Sequence, residues 1–315
     1  MRVIITGGSG LIGRALVAEL AANQHEVVIL SRSPDKVKNL PSGARAERWD
    51  GRSAQGWGHL ADGADAIVNL AGESIAGGES IPGIMFSGRW TLARKRAILE
   101  SRQHAGRAVV EAVKAASKKP SVVIQASAVG YYGSCGNVEL TEDSPHGDDF
   151  QAHVCVDWEK STQAVEAIGV RRVATRSSVV LSKQGGVLPL FALPFRLFAG
   201  GPLGDGRQWF PWIHTDDEVG AIRFLMENAS ARGVYNLCAP NPLTNFEFGK
   251  ALGTVLRRPW IMPAPAFALR LALGEIADAL LLTSQRQVPR RLLAAGYTFK
   301  YPQAEEALRD LLKKK

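Results

Sequence analysis

Short apolar runs and longer amphipathic stretches alternate through the first half of the chain. Val3 to Thr6, Glu26 to Leu30, Ala44 to Trp49, Asp65 to Leu70, Ser121 to Ala126 and Arg172 to Ser177 predict strands. Leu11 to Ala22, about Arg89 to Ala116, and Phe150 to Ile168 predict helices. The strands are nearly continuous in apolar character and are separated by helices. That pattern predicts an α/β fold with a parallel sheet buried on both faces and right-handed crossovers. The texture changes after about residue 179, where Gly185-Gly186, Pro189, Pro194, Gly200-Gly201-Pro202 and Pro211 crowd together. The expected organisation is a doubly wound domain over residues 1–178 and a smaller substrate-binding lobe over 179–315. A later strand, Gly233 to Cys238, is able to return to the sheet.

Residues 6–13 read TGGSGLIG and join the first strand to the first helix. This is the context in which a glycine pattern reads as a Rossmann dinucleotide turn. Gly7 and Gly8 permit the tight turn. Ser9 and Gly10 let a pyrophosphate approach the backbone, and Leu11 and Ile12 open the helix whose amide end favours an anion. Gly13 allows close packing of helix on strand. The second strand runs out into Leu30-Ser31-Arg32-Ser33. An NAD site commonly carries a carboxylate here for the ribose 2′-hydroxyl. Ser31 and Arg32 are donors suited to a 2′-phosphate, so the expected cofactor is NADP(H). Leu70, Ala71 and Gly72 after the fourth strand are small enough to let the nucleotide lie across them.

The chain has 315 residues and a net charge of +8. The basic residues are scattered apart from the tail Lys313-Lys314-Lys315, and no nucleic-acid motif accompanies them, so no nucleic-acid partner is expected. The charge suits a phosphorylated cofactor and a small, anionic substrate. No apolar run approaches membrane-spanning length and no signal-peptide layout opens the chain, so a cytoplasmic protein without a membrane partner is expected. Cys135, Cys155 and Cys238 form no CxxC pair, and the six histidines lack ligand spacing; neither a disulfide framework nor a metal site is expected. His214-Thr215-Asp216-Asp217 is expected to end a strand and cap a helix through Thr or Asp. Oligomeric state is not encoded in any motif of the chain.

These features together resemble the extended short-chain dehydrogenase/reductase superfamily. NLAGESIAGG, RWTLARK, ASAVGYYG, LTEDSPHGDDF, GGPLGDGRQWFPWIH and APNPLTNFEFGKALG are similar to one atypical branch of it, the epimerase-family or NADP-dependent oxidoreductase proteins. The resemblance covers nearly the whole chain. It implies that NADP is held by Gly7 to Gly13, Ser31, Arg32, Leu70 and Ala71, with Arg102 and Val180 also lining the site. Glu79 to Gly88 departs from the branch as an added stretch near the expected cofactor mouth.

Ordinary members of the superfamily pair a Tyr with a Lys four residues later. Four residues after Tyr131, Tyr132, Tyr235, Tyr297 and Tyr301 stand Cys135, Gly136, Ala239, Tyr301 and Glu305, so no such pair exists. Cys155 and Glu159 fall where it belongs, and a carboxylate raises the pKa of a neighbouring proton donor. Ser127 keeps the superfamily's serine position. The expected catalytic set is therefore Ser127 with Tyr131, Tyr132 or Cys155 moving the proton. Arg207, Gln208 and Trp209 are candidates for clamping an anionic, ring-bearing substrate. Two activities stay open: an oxidoreductase or nucleotide-sugar-type epimerase, or a non-catalytic NADP(H)-binding sensor or regulator. A cell-division label carried by some relatives bears on the second.

Overall fold

The structure is a computed structural model and describes residues 1–75 and 90–312; the added stretch Glu79 to Gly88 and the lysine tail lie outside the described residues. The strands are β1 (Arg2–Thr6), β2 (Glu26–Ser31), β3 (Ala44–Arg48), β4 (Ala66–Asn69), β5 (Val122–Ala128), β6 (Glu139–Leu140), β7 (Arg171–Ser177), β8 (Val179–Leu181), β9 (Trp209–Phe210), β10 (Trp212–His214), β11 (Gly233–Leu237), β12 (Leu243–Thr244) and β13 (Arg286–Gln287). The helices are α1 (Leu11–Ala22), α2 (Leu92–Ala115), α3 (Phe150–Lys160), α4 (Leu188–Arg196), α5 (Thr215–Glu227), α6 (Asn245–Leu256), α7 (Ala266–Leu273), α8 (Arg290–Ala294) and α9 (Ala304–Leu312).

Seven strands form one parallel sheet in the order β11-β7-β5-β4-β1-β2-β3. The chain leaves β1 toward β2 on one side and returns at β4 on the other. Between them lies the switch point where open α/β sheets bind ligands at their carboxyl ends. Because side chains alternate along a strand, Val3 and Ile5 join the core beneath α1 and α5, while Ile4 joins the core under α2. β11 does return to the sheet, beside β7, and α5 packs in the same core as α1. A separate core around Phe195, Phe210, Phe248 and Leu308 holds α4, α6 and α9 together.

Two local expectations need correction. The third helix stops at Lys160 and a 3-10 turn over Gln163–Ile168 follows it. Ser161 turns its hydroxyl back to the Trp158 carbonyl at 2.6 Å, and its Oγ lies where a Cβ on Gly106 would stand, 1.9 Å away. Helix α3 therefore ends where α2 presses on it. The cap of α5 is His214 itself, whose Nδ1 accepts from the Asp216 amide at 3.0 Å, rather than Thr or Asp. Burial lowers the His214 pKa, and its ring stacks on Tyr301 at 3.9 Å.

The first turn of α5 also buries Glu218, which is 1% exposed. The Ser177 hydroxyl donates to its Oε1 at 2.5 Å, and its Oε2 meets no partner. Burial pushes its pKa up to about 8, against the smaller lowering effect of Ser177.

Candidate functional site

The glycine turn is built by steric necessity. Gly7 has φ +71°, and a Cβ there would lie 2.9 Å from the Leu70 carbonyl carbon. A Cβ on Gly13 would come within 2.3 Å of the Gly7 carbonyl oxygen. Both obstacles are backbone and cannot swing aside. We expect Gly13→Ala to lower the unfolding free energy by about 1–3 kcal/mol, the usual cost of overpacking, readable by chemical denaturation. Gly10 caps α1 without a side chain, and the first turn of α1 holds no acidic residue. The amide end of α1 therefore keeps its partial positive charge for an outside anion.

A cavity of about 570 Å³ opens in front of this turn. Gly7, Ser9 and Gly10 form its floor; Ser31 and Arg32 line one side; Leu70, Ala71 and Gly72 line the other. Ser31 is 8% exposed, and its Oγ accepts from the Ser33 amide at 3.1 Å. Arg32 is open to solvent and touches Glu73 at 3.4 Å. Lys36 and Arg52 line the same cavity and escape a reading of the sequence. Lys36 falls in a short turn after β2, and Arg52 in a loop after β3, places that no spacing rule connects. That second loop is held by Asp50, whose carboxylate accepts from the Arg52 and Ser53 amides at 2.7 and 2.9 Å. Burial pushes the Asp50 pKa up, but these bonds outweigh it and hold the carboxyl below its ordinary value.

Arg102 lies beneath this cavity. It is 6% exposed, donates to the Glu73 and Ile98 carbonyls at 3.0 Å, and rests on the Trp158 ring at 4.6 Å. Burial draws its pKa down to about 10. A Cβ on Gly72 would lie 2.9 Å from its guanidinium carbon, so it shapes the loop after β4 from below. Val180, in β8, packs against the core under α1. Leu11 and Ile12 lie at the start of α1: Ile12 joins the same core, and Leu11 approaches Gly185 and Gly186 in the turn after β8.

The expected catalytic residues come together at the ends of β5 and β7. Ser127 is 3% exposed and donates to Glu159 Oε1 at 2.6 Å. Arg176, on the neighbouring strand, grips the same carboxylate with both sides of its fork, Nε to Oε1 at 2.8 Å and a terminal nitrogen to Oε2 at 3.1 Å. Its guanidinium carbon lies 3.3 Å from the centre of the Tyr131 ring. Burial lowers the Arg176 pKa, but Glu159 outweighs that and the net shift is upward, so the guanidinium stays charged.

Two of the four candidates are unsuited to exchanging a proton near neutral pH. Cys155 is fully enclosed beside Ser127 and Ala128; burial is the main cause of its pKa of about 12. Tyr132 is 1% exposed, donates to Asn236 Oδ1 at 2.6 Å and accepts from Arg176 at 3.1 Å. Burial again is the main cause of its pKa of about 12. Both are parts of the wall. Gln208, expected to meet substrate, is buried and donates to the Leu203 and Leu281 carbonyls. Trp209 donates to Asn137 at 3.0 Å and carries Arg286 over its ring, while Arg207 remains open to solvent. The three therefore do not converge as a clamp.

Among the described residues no cluster of His, Cys, Asp and Glu is composed to hold a metal ion, and no helix is long and apolar enough to cross a membrane.

Residues 3–238 match the model of the NAD dependent epimerase/dehydratase family, and residues 264–311 match a domain of unknown function. Epimerase family protein YfhF of Bacillus subtilis is 39% identical over 99% of this chain and 98% of its own length. The chloroplastic SDR39U1 homolog of Arabidopsis thaliana is also 39% identical, over 99% of this chain and 87% of its own. Among solved structures, human epimerase family protein SDR39U1, crystallised with NADPH, is 35% identical with a TM-score of 0.84, covering 99% of both chains. A UDP-glucose 4-epimerase from Thermus thermophilus shares the fold at 20% identity and a TM-score of 0.73.

Proposed function

The chain belongs to the NAD-dependent epimerase/dehydratase family, and on that premise we propose that it binds NADPH and acts as an atypical reductase or epimerase of a small, anionic substrate. The observation that carries the cofactor is the cavity that joins the glycine turn to Arg32, Lys36 and Arg52. Three cations on one wall suit a phosphate at the 2′ position. A similar chain has been crystallised with NADPH. The pyrophosphate would be held by the amides of Gly8 to Gly13, and the 2′-phosphate by Ser31 and Arg32. Leu70 and Ala71 would support the adenosine, with Arg102 bracing them and Val180 at the far end.

Arg32→Ala is the test. It is expected to weaken NADPH by about 10- to 100-fold, the worth of a charge-assisted hydrogen bond, and to leave NADH unchanged. Isothermal titration calorimetry reads both. Equal losses for the two coenzymes would contradict the assignment.

Nicotinamide, when bound, supplies or accepts a hydride. The residues of this chain handle the accompanying proton. Ser127 already donates to Glu159, so toward a substrate hydroxyl it acts as an acceptor. It takes the substrate proton as its own passes to Glu159 Oε1. In the reverse direction Glu159 returns a proton to Ser127, which protonates a carbonyl oxygen. Arg176 stays protonated throughout and balances the carboxylate. Tyr131, lying on Arg176, remains as the candidate phenol that borders this group.

A second reading is a sensor that binds NADPH without turnover. The absent Tyr–Lys pair and the enclosed Cys155 and Tyr132 favour it. Stopped-flow loss of nicotinamide absorbance with a panel of carbonyl compounds separates the two. Turnover that disappears in Ser127→Ala supports the enzyme, whereas tight NADPH binding with no turnover across the panel supports the sensor.

A further inference from the structure

The end of α4, one side of α6 and residues 257–262 form one face on the side of the lobe. Its apolar members stand in water: Ile261 is 77% exposed, Leu197 68%, Phe198 58%, Met262 56% and Phe246 49%. They are contiguous. The Met262 amide donates to the Gly200 carbonyl at 3.0 Å, Gly200 bridges to Trp260, and Phe246 sets its ring edge-on to Trp260 at 4.3 Å. A shallow groove of about 600 Å³ is lined by both of these rings.

The charged residues that line the groove have one sign. Lys250, Arg257 and Arg258 line the groove, and Arg196 precedes Leu197. Arg258 lies over the Phe198 ring at 4.5 Å. Among the described residues none of these four cations meets a carboxylate within salt-bridge distance. The acid nearest in sequence, Glu247, is committed to capping α6 through Thr244.

We propose that this face docks on an anionic lipid surface. Exposed aliphatic and aromatic side chains beside unpaired cations are the two components of interfacial binding: apolar burial at the acyl boundary and attraction to charged headgroups. A second copy of the chain fits less well, because a two-fold contact would set the same four cations against themselves. A free phosphate would satisfy the cations and leave Ile261, Leu197 and Phe198 in water. The absence of a spanning helix concerns insertion across a bilayer, not contact with its surface.

Co-sedimentation of the full chain with phosphatidylcholine vesicles, with and without phosphatidylglycerol, tests the proposal. Binding is expected only to the anionic vesicles and is expected to fall with added salt. The double variant Arg257→Glu/Arg258→Glu and the separate double variant Phe198→Ser/Ile261→Ser are each expected to bind about tenfold less. All four side chains are solvent-exposed, and retained NADPH binding with an unchanged circular dichroism spectrum certifies the fold. Failure of wild type to sediment with anionic vesicles overturns the proposal. So does vesicle binding that both variants keep, or a dimer in sedimentation velocity that Phe198→Ser/Ile261→Ser dissolves. None of these outcomes bears on the NADPH assignment, which calorimetry measures in the same variants.

Discussion

Replacing Arg176 by Met lowers the unfolding free energy by about 3–5 kcal/mol, the usual loss when one member of a buried ion pair is removed. Arg176 and Glu159 are 4% and 12% exposed, so solvent offers the abandoned carboxylate little compensation. The Met side chain fills the volume of the arginine stem and makes no bond to Glu159. The carboxyl must then either remain charged without a partner or take up a proton. Urea unfolding measures the loss. Glu159→Gln is the companion variant: it keeps an acceptor for Ser127 while deleting the charge. It strands the Arg176 charge, so a comparable loss of stability is expected; if the serine relay operates, turnover of the folded protein also falls by about 100-fold, within the usual range for general acid–base groups. Turnover untouched in Glu159→Gln would remove the carboxylate from the proton path.

Glu218 produces the second large effect, through pH. Its folded pKa is about 8 against an ordinary 4.5. The unfolded chain therefore releases this proton first as pH rises, and stability falls between those two values. Each pH unit in that interval removes about 1.4 kcal/mol, so the group subtracts about 4 kcal/mol from wild type by pH 8. Below 4.5 and above 8 its contribution is flat. In Glu218→Gln the slope disappears, because the amide does not titrate and still accepts from Ser177. The difference in unfolding free energy between variant and wild type is expected to grow from pH 5 to pH 8. A difference independent of pH would show that Glu218 is ionised in the folded protein.

The sheet is legible in the sequence because its signal is local and repeated. Continuous apolar runs such as Val27 to Leu30 and Val122 to Ile124 have no use except in strands covered on both faces. The glycine turn is legible for the same reason: its motif lies within eight consecutive residues, although Leu70 also enforces Gly7. What escapes is what the fold assembles from afar. Lys36 and Arg52 are ordinary loop cations until β2 and β3 lie side by side. Arg176 does carry a signal, a charge in a strand whose neighbours Val173 and Ala174 are wholly buried, and a buried charge demands a partner. That the partner is Glu159, the residue standing in the lysine's place, follows only from the packing of α3 across the ends of β5 and β7. The early end of α3 belongs with these, because it is set by contact with Gly106 on another helix.

β13 is a strand of only two residues, yet the segment around it fastens the loop that follows Ser127. Gln285 donates to the Val129 and Gly133 carbonyls, Gln287 donates to the Arg176 carbonyl, and the Ser284 hydroxyl donates to the Gly136 carbonyl. A ribosome that has delivered the first 240 residues has released every strand of the main sheet, and the dinucleotide cleft is able to form. The neighbourhood of Ser127 must wait for roughly fifty residues more. Nascent chains thus hold the whole dinucleotide cleft well before the loop beyond Ser127 is fastened.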